Sequence, residues 1–535
     1  MNIMLAQINP TVGDIDNNLK KILSIIETHQ GPHDLIIFPE LALSGYPPLD
    51  LLFRESFHEA IALALKAIAA NVKDCHVIIG HPVGWALVQQ HMLGQGPTYN
   101  ALTVFYQGKS IATYAKQKLP NYGIFDENRY FTPGTNEALI LTIKQQKFAC
   151  LICEDLWQPG PVEQALTHNI DAILCINASP FDKQKYDNRI KLLKSHAKCS
   201  ITIYYVNQVG GQDELLFDGR SLVINPDGEI QAEAKAFEED LLSIKHHKGT
   251  IAPKLSPIAL IYKGLVLAIK DYVEKNHFKA VRLGLSGGID SALTLALAVD
   301  ALGASRVTAV MMPSRFTEDI SVEDAIKELE ALEVKHELLS IEPAFAALLE
   351  TLSPIFKDKP WDATEENLQA RIRGLLLMAL SNKSGDMVLT TSNKSETAVG
   401  YATLYGDMAG GFAPLKDVLK TEVYALSRYR NSLSPVIPER VITRAPSAEL
   451  KPNQTDQDSL PDYDTLDKII ALHLEQNLDE KALVLEGFDA TIVKKILMLI
   501  KRNEYKRQQS APGPKISQRA FGLDWRMPIT SGASS

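Results

Sequence analysis

Residues 281–302 read VRLGLSGGIDSALTLALAVDAL, and three signals follow one another in that run. Val281-Arg282-Leu283 is a short apolar segment, Gly287 and Gly288 break it, and from Ile289 an Ala/Leu-rich pattern of helical length begins. A strand that passes through a glycine turn into a helix presents unpaired backbone N–H groups at the helix N-terminus, where an anion is favoured. The glycines allow close backbone approach, and Ser286 and Ser291 add hydroxyl donors. No Gly-Lys-Ser/Thr follows, so this is not the Walker arrangement. Asp290 separates the stretch from a plain phosphate cradle, because a carboxylate beside phosphates is repelled unless a cation bridges them. A Gly-rich turn that only caps a helix is the plainer alternative.

Outward from this run the same alternation continues. Residues 258–276 form an amphipathic helical pattern, RVTAVMMPS (306–314) a strand, 321–334 a helix, 335–341 a third strand, and MVLTT (387–391) a strand that runs into SNKSETAVG. That is a doubly wound α/β pattern, with ligands expected beyond the carboxyl ends of the strands. The stretch 443–465, rich in Pro, Ser, Asn and Asp, is expected to be a mobile surface loop. HHKGTIAPKLSP (246–257) has the Gly and Pro content of a linker. Ahead of it lie NIMLAQIN, LIIFPE, HVIIGHP, ALTVFY, FACLICED, AILCINAS and ITIYYVNQ, all expected as buried strands, with helical stretches at 16–30 and 54–72. SLVINPDGEIQAEA (221–234) is a hairpin turning at Pro226-Asp227-Gly228. The expected partition is therefore 1–245, a linker at 246–256, and 257–535.

Composition narrows the function classes. Across 535 residues, 55 Lys+Arg against 64 Asp+Glu give a net charge of −9, which disfavours a nucleic-acid or polybasic membrane binder. Hydrophobic residues make up 45%, as in proteins with sizeable cores, but no run approaches the ~20 residues of a membrane span. Five cysteines are too few for a disulfide framework, and the start MNIMLAQINP is no signal peptide. A cytoplasmic location is expected.

Cys153 stands at the end of the apolar run FACLIC, a rigid platform from which a thiol can face a pocket. Pairing with Cys150 for redox or zinc chemistry is disfavoured, since strand alternation puts the two sulfurs on opposite faces. A catalytic thiol needs a base and an oxyanion partner. Glu40 ends LIIFPE, and Lys116 and Lys118 lie in TYAKQKLPNY after ALTVFY. Read singly, each is more often a buried thiol or a solvated charge.

The segments FPELALSGYPP, YAKQKLPNYGIFDENRYF, CEDLW and NASPF resemble, in order, the nitrilase (carbon–nitrogen hydrolase) family in its glutaminase branch. The resemblance implies a four-layer αββα sandwich with Glu40 as general base, Cys153 as nucleophile and Lys116 as the cation on the tetrahedral intermediate; Lys118 stays the alternative lysine. It further implies that Tyr122, Ser179 and Lys185 contact glutamine, with Glu127 a candidate second carboxylate. No histidine is required, and none of the 13 is assigned.

GLSGGIDS, residues Gly284, Leu285, Ser286, Gly287, Gly288, Ile289, Asp290 and Ser291, is similar to the PP-loop of ATP pyrophosphatases. TTSNKSETAVGYATLYGDMAGGFAPLKDVLKTEVYAL, NLQARIRG and EYKRQQSAPG extend the resemblance to the NAD synthetase family over 257–535. It implies that the PP-loop, Thr391 and Lys420 bind ATP, that Asp290 and Glu396 hold Mg²⁺, and that Asn367, Arg371, Glu396 and Lys506 meet deamido-NAD. Some ammonia-dependent members carry a lysine at the position of Leu404, so the pyridine end is held differently here.

Together the halves resemble the glutamine-dependent NAD(+) synthetases. The implied reaction amidates deamido-NAD (nicotinic acid adenine dinucleotide) at the expense of ATP, through an acyl-adenylate. Ammonia from L-glutamine is delivered through a shielded passage, and the products are NAD(+), AMP, diphosphate and L-glutamate. The resemblance also implies a homo-oligomer. The rival classes are another ligase with the same ATP loop, such as GMP or asparagine synthetase, and a binding protein with a dead site.

Overall fold

Apolar runs in the first 250 positions form strands buried on both faces, and the polar stretches between them form the covering helices. In the computed structural model, residues 1–84, 97–135, 137–357, 359–452, 454–458 and 460–532 are described. The chain divides into two compact units, Met1–Leu255 and Ser256–Ser535.

The first unit contains two six-stranded sheets. One runs, edge to edge, Asp240–Lys245, Asn2–Gln7, Leu35–Ile37, His76–Val83, Tyr99–Tyr106 and Lys109–Ala115. The other runs Ile230–Glu233, Leu222–Ile224, Thr202–Asn207, Ala172–Asn177, Gln146–Ile152 and Leu139–Ile143. The inner strands of each sheet are parallel and the outer ones antiparallel. Alternation along Asn2–Gln7 sends Ile3 and Leu5 into the core shared with Phe148, Ile152 and Ile176 of the other sheet. It sends Met4 and Ala6 against helices Ile15–His29 and Glu55–Asn71, through Ile22, Ile26, Ile61 and Ile68. Helix Lys185–Ala197 covers the second sheet with Leu193 and Ala197, completing an αββα sandwich.

The sandwich differs from the sequence reading at its edges. Lys109–Ala115 is an additional strand, so Lys116 follows it and not ALTVFY directly. The first half closes on Asp240–Lys245, which returns beside Asn2–Gln7, and not on the 222–233 hairpin. Residues up to Ala252 stay hydrogen-bonded to this unit, through Thr250 O to Glu233 N and Ala252 N to Glu233 O.

The second unit holds a four-stranded parallel sheet in the order Lys335–Leu338, Val307–Met311, Val281–Gly284, Met387–Leu389. In chain order this is 3-2-1-4, the doubly wound arrangement, with its switch point between Val281–Gly284 and Met387–Leu389. Helices Pro257–Lys275, Ile289–Leu302 and Lys420–Leu433 pack together beside the sheet. Ala363–Ser384 packs Ile372 and Leu377 against Val310 and Val388. A helical cluster, Tyr463–Gln476 with Ala490–Arg502, follows. Within the expected loop 443–465, Thr443 ends the helix Glu439–Thr443 and Tyr463 opens Tyr463–Gln476; the described residues between them are irregular apart from a short turn at Asp456–Asp458, and Asn453 and Ser459 lie outside the described residues. It is anchored by the Leu450 carbonyl on Gln369 and by Asp456 on the Tyr463 hydroxyl.

Candidate active sites

In the first unit the strand Gln146–Ile152 stops one residue before Cys153, which opens a short helical turn with φ at +42°. A left-handed backbone is costly for a β-carbon residue and points the thiol out of the strand's alternation. Lys116 directly follows Lys109–Ala115, and Glu40 lies in a turn three residues beyond Leu35–Ile37 rather than at its last residue.

These three segments converge on one ammonium. Lys116 Nζ donates to Glu40 Oε1 at 2.8 Å and to Glu127 Oε1 and Oε2 at 2.8 and 2.9 Å. Glu40 also accepts from Asn100 Nδ2 (2.7 Å) and the Ala178 backbone N–H (2.8 Å), and Glu127 accepts from the Tyr46 hydroxyl at 2.8 Å. Glu40, Lys116, Glu127 and Cys153 are all buried. Lys118 is not in this cluster: its ammonium lies by Gly160, and only its backbone N–H serves the site, through Asp155.

Burial pushes the Cys153 thiol well above its ordinary range, with the Glu40 carboxylate adding to this and Lys116 opposing it. Burial would lower the Lys116 ammonium, but Glu127 and Glu40 outweigh it and hold it well above its ordinary value. Burial pushes Glu127 up to about 7, with Lys116 pulling it down. At rest the cysteine is a thiol, and a neighbouring carboxylate must take its proton before it can attack.

The expected glutamine contacts surround this cluster unevenly. Tyr122 donates its hydroxyl to Glu154 Oε1 and Oε2 at 3.2 and 3.1 Å. Lys185 Nζ stands 4.2 Å over the Trp157 ring, half-buried and in electrostatic range of Cys153. Ser179 is buried, its backbone held by Asn207 at 2.8 Å. Glu154, a buried carboxylate beside Cys153 that also accepts from Gln158, carries no signal in CEDLW that sets it apart from a solvated acid. Asn100 and Tyr46 gave no local signal, because their partners are 60 and 81 residues away.

In the second unit the PP-loop lies at the switch point. Gly287 has φ +82°, and a Cβ there would fall 2.3 Å from the Ser321 carbonyl oxygen, so only glycine fits. Ser286 Oγ accepts from Gly288 N (3.2 Å), and Ser291 Oγ, which accepts from Ser286 N (3.3 Å), donates to Gly288 O (2.9 Å), so both hydroxyls brace the turn that opens helix Ile289–Leu302. The other loop at the switch point, TTSN (390–393), joins Met387–Leu389 to the short helix Lys394–Val399. Thr391 falls in it, two residues past the strand that was expected to reach it.

Here too one ammonium gathers two carboxylates. Lys420 Nζ donates to Asp290 Oδ2 in a very short hydrogen bond and to Glu396 Oε1 at 3.1 Å. Asn393, which the sequence did not single out, donates to Asp290 Oδ1 at 2.8 Å and accepts the Glu396 backbone N–H at 2.9 Å, tying the two acids together. Burial pushes Glu396 up to about 8, against the pull of Lys420 and with Asp290 and Asp456 adding to it. The carboxylates of Asp290 and Glu396, in the first turns of two separate helices, form a hard donor set suited to Mg²⁺, which is commonly held by one or two carboxylates plus phosphate oxygens. Among the described residues no group of three or more His, Cys, Asp or Glu forms a metal cage, so phosphate and water would complete such a shell.

The expected acceptor residues meet on the next loop. Lys506 Nζ donates to the Gly400 and Ala402 carbonyls at 2.8 Å each, Thr403 Oγ1 donates to Asn367 Oδ1 at 2.8 Å, and Arg371 Nε donates to the Leu404 carbonyl at 3.2 Å. Glu396, on the helix Lys394–Val399, instead faces Lys420. Burial lowers the Lys506 ammonium, and Arg371 nearby lowers it further while Asp407 raises it. Two cations thus lie beside one loop, both donating to its backbone carbonyls.

An αββα sandwich with a buried lysine–carboxylate cluster at a cysteine, on one chain with a 3-2-1-4 sheet and a PP-loop, defines a class: ATP-using carbon–nitrogen ligases with their own hydrolase unit. The family models for carbon-nitrogen hydrolase and NAD synthase match residues 3–252 and 261–510. The chain belongs to the glutamine-dependent NAD(+) synthetase family. It is 48% identical to the glutamine-dependent NAD(+) synthetase of Acinetobacter baylyi, covering 99% of this chain and 98% of that one. It is 46% identical to the corresponding protein of Xanthomonas campestris pv. campestris, over 100% of this chain and 98% of that one. A solved glutamine-dependent NAD+ synthetase from Acinetobacter baumannii, in complex with ADP, superposes with TM-score 0.78 and 46% identity, covering 99% of this chain and 98% of that one.

Proposed function

We propose that this protein amidates deamido-NAD to NAD(+) with ammonia taken from L-glutamine, at the expense of ATP cleaved to AMP and diphosphate. The single observation that carries this reading is that one chain, alike over its whole length to glutamine-dependent NAD(+) synthetases, holds both a buried Glu–Lys–Cys cluster and a PP-loop whose Asp290 is joined to Glu396 through Lys420. We assign glutamine hydrolysis to 1–245 and synthesis to 257–535, joined through 246–256.

In the first unit Glu40 takes the Cys153 proton, and the thiolate attacks the carboxamide carbon of glutamine. The Lys116 ammonium stabilises the oxyanion, and the proton held at Glu40 passes to the departing ammonia. A γ-glutamyl thioester remains, which water, deprotonated by Glu40, hydrolyses to glutamate. Tyr122, Ser179, Lys185 and Glu154 orient the substrate, with Glu154 suited to its α-ammonium. Glu127 shares Lys116 with Glu40 and keeps its ammonium in register.

In the second unit residues 284–291, with Thr391 and Lys420, hold the ATP phosphates, and Asn367, Arg371 and Lys506 hold deamido-NAD. Asp290 and Glu396 fit Mg²⁺, which when bound would neutralise phosphate charge and polarise the α-phosphate. Lys420 pairs with these acids and can move with them toward phosphate. The nicotinate carboxylate has no leaving group of its own, and adenylation supplies AMP for ammonia to displace. Leu404 offers no cation, so we assign the pyridine carboxylate end to Arg371 and Lys506.

Among the described residues no helix is long and apolar enough to cross a membrane. We further propose a cytoplasmic homo-oligomer whose partners are these small molecules. Product analysis with L-glutamine, deamido-NAD and Mg-ATP tests the reading. It predicts equimolar NAD(+), AMP, diphosphate and glutamate; ADP in place of AMP, or no amide formed, would overturn it.

A further inference from the structure

Asp155 lies two residues beyond Cys153 and is fully buried. Its Oδ1 accepts the backbone N–H groups of Gln117 (3.0 Å) and Lys118 (2.9 Å), the two residues after Lys116. Its Oδ2 accepts the Tyr114 hydroxyl (2.9 Å) and the backbone N–H of Ile152 (3.1 Å), the residue before Cys153. One carboxylate therefore clamps the segment carrying Lys116 on both sides and joins it to the turn carrying Cys153. The two segments leave different sheets, Lys109–Ala115 from the first and Gln146–Ile152 from the second, so no ladder hydrogen bond fixes one against the other. All four partners are donors, which an ionised carboxylate accepts. An amide would set its N–H against a backbone N–H in a buried place, and a protonated carboxyl gives up an acceptor position and the charge that strengthens the other bonds.

We propose that Asp155 is a positioning residue for glutamine hydrolysis, its ionised carboxylate fixing the Lys116 ammonium against Cys153 and its protonation releasing that register. This rests on the Cys153–Lys116 reading of the first site. Burial pushes Asp155 up to about 6, against the Lys118, Tyr114 and Ile152 donors and the Lys116 ammonium, which draw it down. The titratable and charged groups around it are Tyr114 and Lys116 from the edge-strand side, Cys175 from strand Ala172–Asn177, and Cys153 and Glu154 on its own turn. His196 of helix Lys185–Ala197 abuts the same turn, at 2.8 Å from the Leu156 carbonyl. Hydrolysis should therefore fail on the acid side as Asp155 takes up a proton.

The test compares Asp155→Asn and Tyr114→Phe in the full chain, reading glutamate release across pH and ammonium-driven NAD(+) formation as the check on folding. Asp155→Asn should lower kcat for hydrolysis by about 100-fold, the scale of a 1 Å misplacement, with KM for glutamine within about threefold. Tyr114→Phe removes one donor that lowers the Asp155 pKa, so the acid limb of its kcat profile should move to higher pH. Tyr114 does not touch Glu127, whose titration near 7 would otherwise confuse the assignment. Should Asp155→Asn fail to fold, Tyr114→Phe decides alone. Wild-type kcat in Asp155→Asn, or an unmoved acid limb in Tyr114→Phe, overturns the inference. Cys153→Ala, run alongside, separates the two levels: if it still hydrolyses glutamine, the underlying reading has failed and not merely the role of Asp155.

Discussion

An ammonium has three protons, enough to satisfy two carboxylates at once, and Lys116 uses them on Glu40 and Glu127 in a buried place. Removing it leaves two buried acids facing each other with no cation, a loss of about 3–5 kcal/mol for a broken buried pair. Lys116→Met should therefore abolish glutamate release and depress the thermal midpoint, whereas Lys118→Met should keep hydrolysis within a few-fold of wild type. Equal losses in both variants would contradict the assignment. Sequence alone left the two lysines open, because what separates them is the pairing with Glu40, 76 residues away. Asp155 and Glu154 stood in the same motif as Cys153, yet their roles come from backbone donors and a tyrosine on another segment. A second buried acid lies away from either site: Glu328 is pushed by burial up to about 8, against the pull of Arg430, and one of its oxygens has no hydrogen-bond partner. With its pKa raised in the fold, Glu328 holds a proton that the unfolded chain releases, so its contribution to stability is present at low pH and is lost as pH rises toward 8. Glu328→Gln should raise stability relative to wild type more at pH 8 than at pH 5, by on the order of 3 kcal/mol. A difference independent of pH, measured by denaturant unfolding at both, would argue against it.

Elements were legible in the sequence where burial was two-sided. Strands such as Ala172–Asn177 and Thr202–Asn207 are buried throughout and read as unbroken apolar runs. Lys109–Ala115 is an edge strand, exposed along most of its length, and its KSIATYA gives no such run. The return strand Asp240–Lys245 was hidden for a related reason, since it alternates and pairs with residues at the opposite end of the unit. Helix Ala363–Ser384 bears Asn367 and Arg371, but its apolar residues spread around the axis and show no single face. The PP-loop was the clearest element, because its glycines are demanded by geometry. Gly287→Ala must accept both a left-handed φ and a backbone clash with Ser321, a strain of about 1–3 kcal/mol or a displaced loop. This variant should lose ATP-dependent synthesis from either nitrogen source by at least about tenfold while still releasing glutamate from glutamine. Unimpaired synthesis would mean that the turn does not hold the phosphates.

At the scale of the whole molecule, the two units each hold their own buried ammonium between carboxylates, one beside a thiol and one beside a phosphate loop. In the proposed mechanism the same arrangement serves two ends: Lys116 would be fixed toward an oxyanion, and Lys420 would neutralise acids that otherwise repel phosphate. Both halves were legible from motifs because each chemistry needs fixed residue types at a strand's end. Partners such as Asn100 and Tyr46 were not, lying 60 and 81 residues from the carboxylates they hold. In the proposed mechanism the Cys153 thiol serves only to release ammonia. The measurement is NAD(+) formed by Cys153→Ala from deamido-NAD and Mg-ATP, with glutamine in one arm and high ammonium in the other, and folding checked by thermal midpoint. Cys153→Ala should form no NAD(+) from glutamine and should give a yield from ammonium near wild type. NAD(+) from glutamine, or loss of both yields in a folded protein, would contradict it.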